Sequence, residues 1–102
     1  MGIGSGLTTV RIIGPSMEPA LRSGDCWLVR RGGQISPGDV VLAIHPLRLD
    51  LTIVKRVIRA EGSGWWIEGD NPDSSDDSRS FGPVDTVIGR LVLRYSPLFR
   101  RG

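Results

Sequence analysis

The sequence predicts a mostly β fold, a small β-barrel or coiled β-sheet domain with at most one short helical turn. Its 102 residues are enough for one modest hydrophobic core. Fourteen glycines and seven prolines supply many turns. The apolar residues fall into six short runs, a pattern typical of strands joined by tight turns. We therefore expect residues 1–102 to form a single domain.

Each predicted strand is rich in β-branched or apolar residues and is bounded by turn residues. The six strands are residues 7–13, 26–30, 40–44, 51–58, 65–68 and 86–95. The first strand ends at Gly14 and Pro15. Residues 17–21, which follow Ser16, suit a single helical turn because serine is a good helix N-cap.

The connections between these strands also carry local signals. Residues 23–25 are Ser-Gly-Asp and turn into the second strand, and the Pro-Gly pair at 37–38 suits a type II turn before the third. Residues 46–50 form a loop, and the Gly-Ser-Gly sequence at 62–64 predicts a hairpin. Residues 69–80 are rich in Asp and Ser and are expected to form a polar loop before the last strand.

Composition gives no positive sign of a nucleic-acid partner and excludes an internal disulfide, a zinc site and a membrane span. A net charge of +2 with scattered arginines does not indicate a nucleic-acid-binding protein. One cysteine, Cys26, cannot form an internal disulfide, and with the single His45 it cannot form a zinc site. The longest unbroken apolar run, Val40–Ile44, is too short to span a membrane, and residues 1–9 lack the features of a signal peptide.

Lys55 is the only lysine in the chain, alongside 12 arginines, and it lies in a predicted strand. A lysine can lose its proton when it is desolvated, whereas an arginine effectively cannot. Ile53 and Val57 share its face of the strand because side chains alternate, and apolar neighbours lower the pKa of a lysine. The alternative is a structural lysine at a sheet edge whose amine reaches water.

Ser16 follows Gly14-Pro15 at the end of a strand, with little side-chain bulk around its hydroxyl. The sequence allows two interpretations, a helix-capping serine and a nucleophile, and a nucleophile needs a base. His45 is one candidate, although a lone loop histidine is usually solvated. A neutral Lys55 is the other, since it can take the serine proton and return it to the leaving amine.

The acidic stretch of residues 69–82 resembles a calcium loop in composition. It lacks the central glycine and terminal glutamate of an EF-hand, so a solvated acidic loop is the simpler interpretation. Trp65 and Trp66 are adjacent in a strand and should face opposite ways, one into the core. Cys26 is expected to be a small buried hydrophobic residue.

Three blocks, at Ser16-Met17-Glu18-Pro19, Lys55-Arg56-Val57 and Gly69 to Gly82, together resemble the type I signal peptidases and their relatives, with a signal-peptidase/LexA-like fold. The resemblance covers about residues 10–95. It implies that Ser16 is the nucleophile, with its backbone N–H in the oxyanion hole, and that Lys55 is the general base. It also implies that the Ser75 hydroxyl orients the lysine amine. The implied site-supporting residues are Gly69, Asp70, Asn71, Asp77, Ser78 and Arg79, with Asp77 and Arg79 as an ion pair.

This chain departs from the family at three points. Some members have a hydroxyl two residues before the nucleophile that joins the oxyanion hole, and the residue here is Gly14. The membrane anchor and the insertion before the Gly-Asp-Asn turn are absent from the sequence. In these respects, and in residues 65–72 and 90–95, the chain is similar to the nickel-type superoxide dismutase maturation proteases.

The resemblance therefore implies a serine endopeptidase that removes an N-terminal propeptide from a protein precursor, with nickel superoxide dismutase as the expected substrate. We expect the precursor to bind as an extended segment beside Ser16, in contact with Gly14, Met17 and Pro19. No metal or other cofactor is expected to take part. The expected location is cytoplasmic, or membrane-associated if an anchor belongs to the protein, and the oligomeric state stays open.

Three other interpretations remain. The chain could be the soluble catalytic domain of a membrane signal peptidase. A self-cleaving domain of the LexA type needs an internal cleavage loop, and the sequence contains no convincing Ala-Gly bond for one. The non-enzymatic interpretation is a small β-barrel that binds peptide or nucleic acid.

Overall fold

The computed structural model describes residues 6–74 and 76–98. These residues form six strands and one short helix, and the mostly β fold class is confirmed. Five strands precede the helix and one follows it. The elements are β1 (Leu7–Arg11), β2 (Cys26–Arg31), β3 (Val40–Ile44), β4 (Thr52–Glu61), β5 (Gly64–Glu68), α1 (Ser78–Phe81) and β6 (Val87–Ser96).

All six strands belong to one antiparallel sheet in the order β1-β2-β6-β3-β4-β5. The register places Val10 opposite Trp27 on β2, and Val41 on β3 opposite Lys55 on β4. The ladder between β2 and β6 is irregular at two points, after Cys26 and after Leu28. Such irregularities bend strands and increase their twist. Residues of β1 and of the first half of β4 line one groove, although three strands separate them in the sheet order.

The sheet has a buried apolar cluster on each face. The first cluster consists of Val41, Ala43, Val57, Ile67 and Val84. The second consists of Ile12, Met17 and Leu21, against which Val54 packs. Each fully buried side chain of this size contributes about 1.5–3 kcal/mol to folding, so the residues on either side of Ser16 are held by the core.

The structure keeps a single helical-type turn at residues 17–21 and adds a short helix that the sequence did not predict. Residues 17–21 form hydrogen-bonded turns, in which the Leu21 N–H donates to the Met17 carbonyl at 2.9 Å. The added helix is α1, inside the stretch expected to be a polar loop. Asp77 caps it by accepting a hydrogen bond from the Arg79 N–H. Four residues are too few to produce a helical hydrophobic pattern, which is why the sequence did not reveal it.

The remaining differences are at strand ends. β1 ends at Arg11 and β4 continues to Glu61, so the β4–β5 hairpin turns on Gly62 and Ser63. Gly62 has a φ of +60°, a conformation that glycine adopts readily. Among the described residues, no helix is long and apolar enough to cross a membrane.

Candidate active site

Ser16 and Lys55 line the same groove, which has a volume of about 620 Å³. Ser16 lies in the turn that follows β1, and Lys55 lies in the middle of β4. The rest of the lining is mostly apolar and includes Ile13, Leu51 and Ile53. The fold therefore brings the predicted nucleophile and the predicted base to one surface.

Two strand edges border this groove. β1 is an edge strand whose only partner in the described sheet is β2. Within that sheet β4 pairs with β5 only from Arg56 onward, so its first residues, from Thr52, have one unpaired side. An extended peptide placed between these edges could form backbone hydrogen bonds with both strands.

The backbone around Ser16 is held by neighbours on two sides. The Asn71 N–H donates to the Ser16 carbonyl at 2.9 Å, and the Asn71 amide donates to the Pro15 carbonyl at 3.0 Å. On the other side, the Gly14 N–H donates to the Ser23 hydroxyl at 3.1 Å. These bonds hold the turn that carries the Ser16 hydroxyl.

Gly69 makes this close approach of the two loops possible. A Cβ atom at position 69 would lie 2.7 Å from the Ser16 carbonyl oxygen, closer than real Cβ contacts allow. A side chain here would push the Gly69-Asp70-Asn71 turn away from Ser16. The glycine is therefore explained by packing against the backbone of Ser16.

The Lys55 side chain is only 5% exposed. Ile53 and Val57 lie on the same face of β4, and both belong to or pack against the first core cluster. Burial lowers the pKa of Lys55 below its ordinary value of 10.5, and the Arg79 charge lowers it further. The carboxylates of Asp77 and Asp76 act in the opposite direction, but burial is the largest effect and the pKa of Lys55 stays below its ordinary value.

Asp77 is completely buried and connects the loop to α1. Its carboxylate accepts hydrogen bonds from the Gly69 N–H at 2.9 Å and from Arg79 Nη2 at 2.6 Å. Burial opposes its ionisation, but the bonds from Arg79 and Gly69 outweigh it, and the pKa of Asp77 lies below its ordinary value. Arg79 also reaches the Ser74 carbonyl at 3.3 Å. Ser78, also buried, accepts a hydrogen bond from the Ile67 N–H at 2.9 Å.

Arg56 belongs to the Lys55-Arg56-Val57 block and supports the candidate site, a role that the sequence did not predict. Its guanidinium makes two hydrogen bonds to the Asp70 carboxylate, at 2.9 and 2.8 Å, and a third to the Gly38 carbonyl at 2.7 Å. It therefore ties β4 to the Gly69-Asp70-Asn71 turn and to the turn before β3. The sequence contained one indication of this role: Arg56 and Asp70 have opposite charges, and each lies in one of the blocks that resemble the family.

The other predicted site residues are distributed as follows. Gly14 and Met17 line the groove, while Pro19 is exposed and is not part of the lining. Met17 is almost fully buried in the second core cluster. Ser75, the predicted lysine-orienting residue, lies outside the described residues. Its neighbours Ser74 and Asp76 both line the groove.

His45 is not the solvated residue that its loop position suggested. It is buried, its Nδ1 accepts a hydrogen bond from the Leu47 N–H at 3.1 Å, and its ring packs against Phe81. It is not among the residues that line the groove. The placement favours Lys55 over His45 as the base.

Two further expectations concern residues away from the groove. Trp65 packs on the first core cluster, while Trp66 stacks with Arg59 at 4.7 Å, as alternation requires. Cys26 is only partly buried, because it lies at the start of β2. In the described part of the chain, no group of three or more His, Cys, Asp or Glu residues is arranged to hold a metal ion.

Comparison with known families identifies the family of the chain. The model of the Peptidase S24-like family matches residues 2–92. The chain belongs to the Peptidase S24-like family. The sequence prediction of a signal-peptidase-like protease is thus confirmed at the level of the family.

Several proteins similar to this chain are subunits of mitochondrial inner membrane proteases. The chain is 38% identical to mitochondrial inner membrane protease subunit 1 of Xenopus tropicalis, over 83% of the chain and 66% of that protein. It is 33% identical to subunit 1a of the ATP-independent protease of Arabidopsis thaliana, over 89% of the chain and 71% of that protein. It is 33% identical to mouse subunit 2, over 72% of the chain and 57% of that protein.

These relatives bear on the finer predictions. The chain spans only about two thirds of the length of the first of them. Their names support the alternative of a membrane signal peptidase domain better than the expected processing of nickel superoxide dismutase. The narrower resemblance to nickel-type superoxide dismutase maturation proteases has no support from these relatives.

Proposed function

We propose that this Peptidase S24-like domain is a serine endopeptidase in which Ser16 is the nucleophile and Lys55 the general base. We further propose that it is the catalytic domain of a signal-peptidase-type protease that cleaves precursors of membrane or exported proteins. The observation that carries the proposal is the groove shared by Ser16 and the buried Lys55. The relatives named as subunits of inner membrane proteases support a protease that acts at a membrane.

The chemistry requires a neutral Lys55 at the start. The Ser16 hydroxyl attacks the scissile carbonyl carbon, and its proton passes to Lys55 Nζ as the carbon–oxygen bond forms. The negative oxygen of the tetrahedral intermediate would accept a hydrogen bond from the Ser16 backbone N–H. The carbon–nitrogen bond then breaks, the protonated Lys55 gives its proton to the leaving amine, and an ester on Ser16 remains.

The second half returns the enzyme to its starting state. Neutral Lys55 takes a proton from a water molecule, which attacks the ester carbonyl. The ester bond to Ser16 breaks, the Ser16 oxygen recovers a proton from Lys55, and the acid product leaves. Burial of Lys55 supports both halves because it keeps the amine free of a proton at a lower pH than in water.

The substrate is proposed to bind as an extended segment between β1 and the start of β4. The unpaired edges of these strands offer backbone groups on both sides of such a segment. The apolar part of the lining, which includes Ile13 and Leu51, favours apolar substrate side chains at the positions that contact it. Gly14 carries no hydroxyl, so a second oxyanion donor must come from another group.

The test compares two precursors with the purified chain. One is an exported-protein precursor with its signal segment, presented in phospholipid vesicles, and the other is a nickel superoxide dismutase precursor. Product N-termini are sequenced for the wild type, Ser16→Ala and Lys55→Arg. We expect Ser16-dependent cleavage of the first precursor and little of the second. Cleavage of the second alone would restore the maturation-protease interpretation, and cleavage by Lys55→Arg would contradict the mechanism.

A further inference from the structure

Asp76 places a negative charge in the groove next to the proposed catalytic amine. Asp76 and Lys55 both line the groove, and the two side chains interact electrostatically. Of the remaining lining residues, only Arg11 carries a charge, and most of the others are apolar. A carboxylate in such a setting acts electrostatically on whatever occupies the groove.

The neighbouring carboxylate, Asp77, does not have this freedom. Asp77 is buried and its charge is matched by Arg79 in a 2.6 Å ion pair. Asp76 is exposed, and the ion pairs found among the described residues do not include it. Of these two adjacent carboxylates, Asp77 therefore stabilises its own loop, whereas Asp76 lines the groove.

We propose that Asp76 is a specificity-determining residue that receives a Lys or Arg side chain of the substrate close to the scissile bond. The proposal rests on the proposed peptidase function. Opposite charges in a groove with apolar walls interact more strongly than they do in open water. An acidic substrate side chain at the same position would be repelled.

This pairing has a consequence for the catalytic amine. The charges near Lys55 are Asp76 and Asp77, which hold its proton, and Arg79, which weakens that hold. Arg11 also lines the groove. A substrate cation paired with Asp76 would offset one of the two carboxylates, so Lys55 would lose its proton at a lower pH in the complex than in the free enzyme. A basic substrate would therefore help to activate the base that cleaves it.

The first experiment measures substrate preference. A library of peptides from digested cell protein is incubated with the wild type, Asp76→Asn, Asp73→Asn and Ser16→Ala, and the Ser16-dependent cuts are identified by mass spectrometry. Asp73 is the matched control because it is an exposed carboxylate of the same loop that does not line the groove. We expect Lys and Arg to be enriched at one position near the cut for the wild type and Asp73→Asn, and not for Asp76→Asn.

The second experiment measures the coupling to Lys55. Two peptides with Arg or neutral citrulline at the enriched position are compared. We expect the wild type to prefer the Arg peptide by about fivefold in kcat/KM, which corresponds to one ion pair of moderate strength, and Asp76→Asn to show no preference. The acid limb of kcat, which reports the enzyme–substrate complex, should lie at lower pH for the Arg peptide with the wild type only.

The outcomes are distinguishable. Equal preference in the wild type and Asp76→Asn, with Ser16-dependent cuts present, would overturn the role of Asp76 alone. An absence of Ser16-dependent cuts in every sample would overturn the proposed function and this inference with it. Thermal unfolding of Asp76→Asn should match that of the wild type, because the side chain is exposed.

Discussion

The surroundings of the Lys55 amine set the pH range in which the proposed mechanism can operate. Burial lowers the pKa of Lys55, with Arg79 acting in the same sense and Asp77 and Asp76 opposing it. The base works only when neutral, so kcat/KM should rise as pH increases through this lowered pKa and then level off. A profile measured with a cleaved peptide checks this, and activity that falls with rising pH over the same range would contradict it.

The lowered pKa of Lys55 also determines how the stability of the protein should depend on pH. The unfolded chain binds the Lys55 proton more tightly than the folded one, so stability should rise with pH between the lowered pKa and the ordinary value of 10.5. Replacing Lys55 with Met removes this dependence. We expect Lys55→Met to be inactive yet more stable at neutral pH by about 1 kcal/mol, as measured by urea unfolding. A less stable Lys55→Met would show that the amine supports the fold.

Gly69 offers a second test at the level of one atom. A Cβ there would meet the Ser16 carbonyl oxygen at 2.7 Å. We expect Gly69→Ala to lose on the order of a hundredfold in kcat/KM because the nucleophile is displaced, at a stability cost of about 1–3 kcal/mol.

Gly64→Ala is the matched control for this change. Gly64 is the first residue of β5, and a Cβ there would meet the Val84 carbonyl oxygen, with no Ser16 atom among its nearest contacts. It should lower stability while the folded fraction keeps its activity. Equal losses of activity in both variants would mean that Gly69 has no special relation to the nucleophile.

At the scale of elements, Arg56 joins β4 to the loop that contacts Ser16. The strand fixes Lys55 by its ladder with β3, and the next residue fixes the loop through two bonds to Asp70. Adjacent residues of one strand thus position both groups of the proposed dyad, Lys55 directly and Ser16 through the loop that contacts it. Of the two groups only Lys55 lies on a strand, and the loop that carries Ser16 is held in place through contacts with residues tied to that strand.

A double-mutant cycle tests this connection. We expect Arg56→Gln and Asp70→Asn each to lower kcat/KM by more than about tenfold. Together they should cost little more than either alone, with a coupling free energy on the order of 1 kcal/mol. Arg56→Lys should recover little, since lysine cannot make the paired hydrogen bonds. Strict additivity of the two single changes would contradict the connection.

At the scale of the whole molecule, Asp77 links the candidate site to acid stability. Its pKa is lowered in the folded state, so its contribution is present above the ordinary value of 3.8 and is lost as pH falls through the lowered value. We expect Asp77→Asn to destabilise the protein by about 2–3 kcal/mol at neutral pH. The difference from the wild type, followed by urea unfolding, should shrink in acid, and a constant difference would contradict the charged role.

Some features of the fold and of the candidate site could be predicted from the sequence alone. Val40–Ile44 was predicted to the residue because an apolar run between turn residues leaves little choice. Lys55 and Ser16 could be singled out from residue chemistry and a family resemblance. Their meeting in one groove depends on the curvature of the sheet, a long-range property that local patterns do not contain.

Other features of the site could not be predicted from the sequence. The hydrogen bonds from Asn71 to Ser16 and Pro15 join residues far apart in the chain, and no spacing rule predicts them. His45 was expected to be solvated because it precedes a proline in a loop. It is buried because Phe81 of α1 packs against it, and α1 itself was too short to predict.

The central claim is that Ser16 attacks with Lys55 as its base, and covalent labelling tests it most directly. The protein is mixed with p-nitrophenyl acetate at several pH values, quenched in acid and digested with trypsin. Arg11 and Arg22 bound a tryptic peptide, residues 12–22, in which Ser16 is the only hydroxyl residue.

The account predicts one acetyl group on that peptide in the wild type, formed faster as pH rises. Labelling should be absent in Ser16→Ala and at least about a hundredfold slower in Lys55→Met and Lys55→Arg. Labelling of the peptide at an equal rate in the two Lys55 variants, or acetylation of Ser16 that does not depend on pH, would contradict the account.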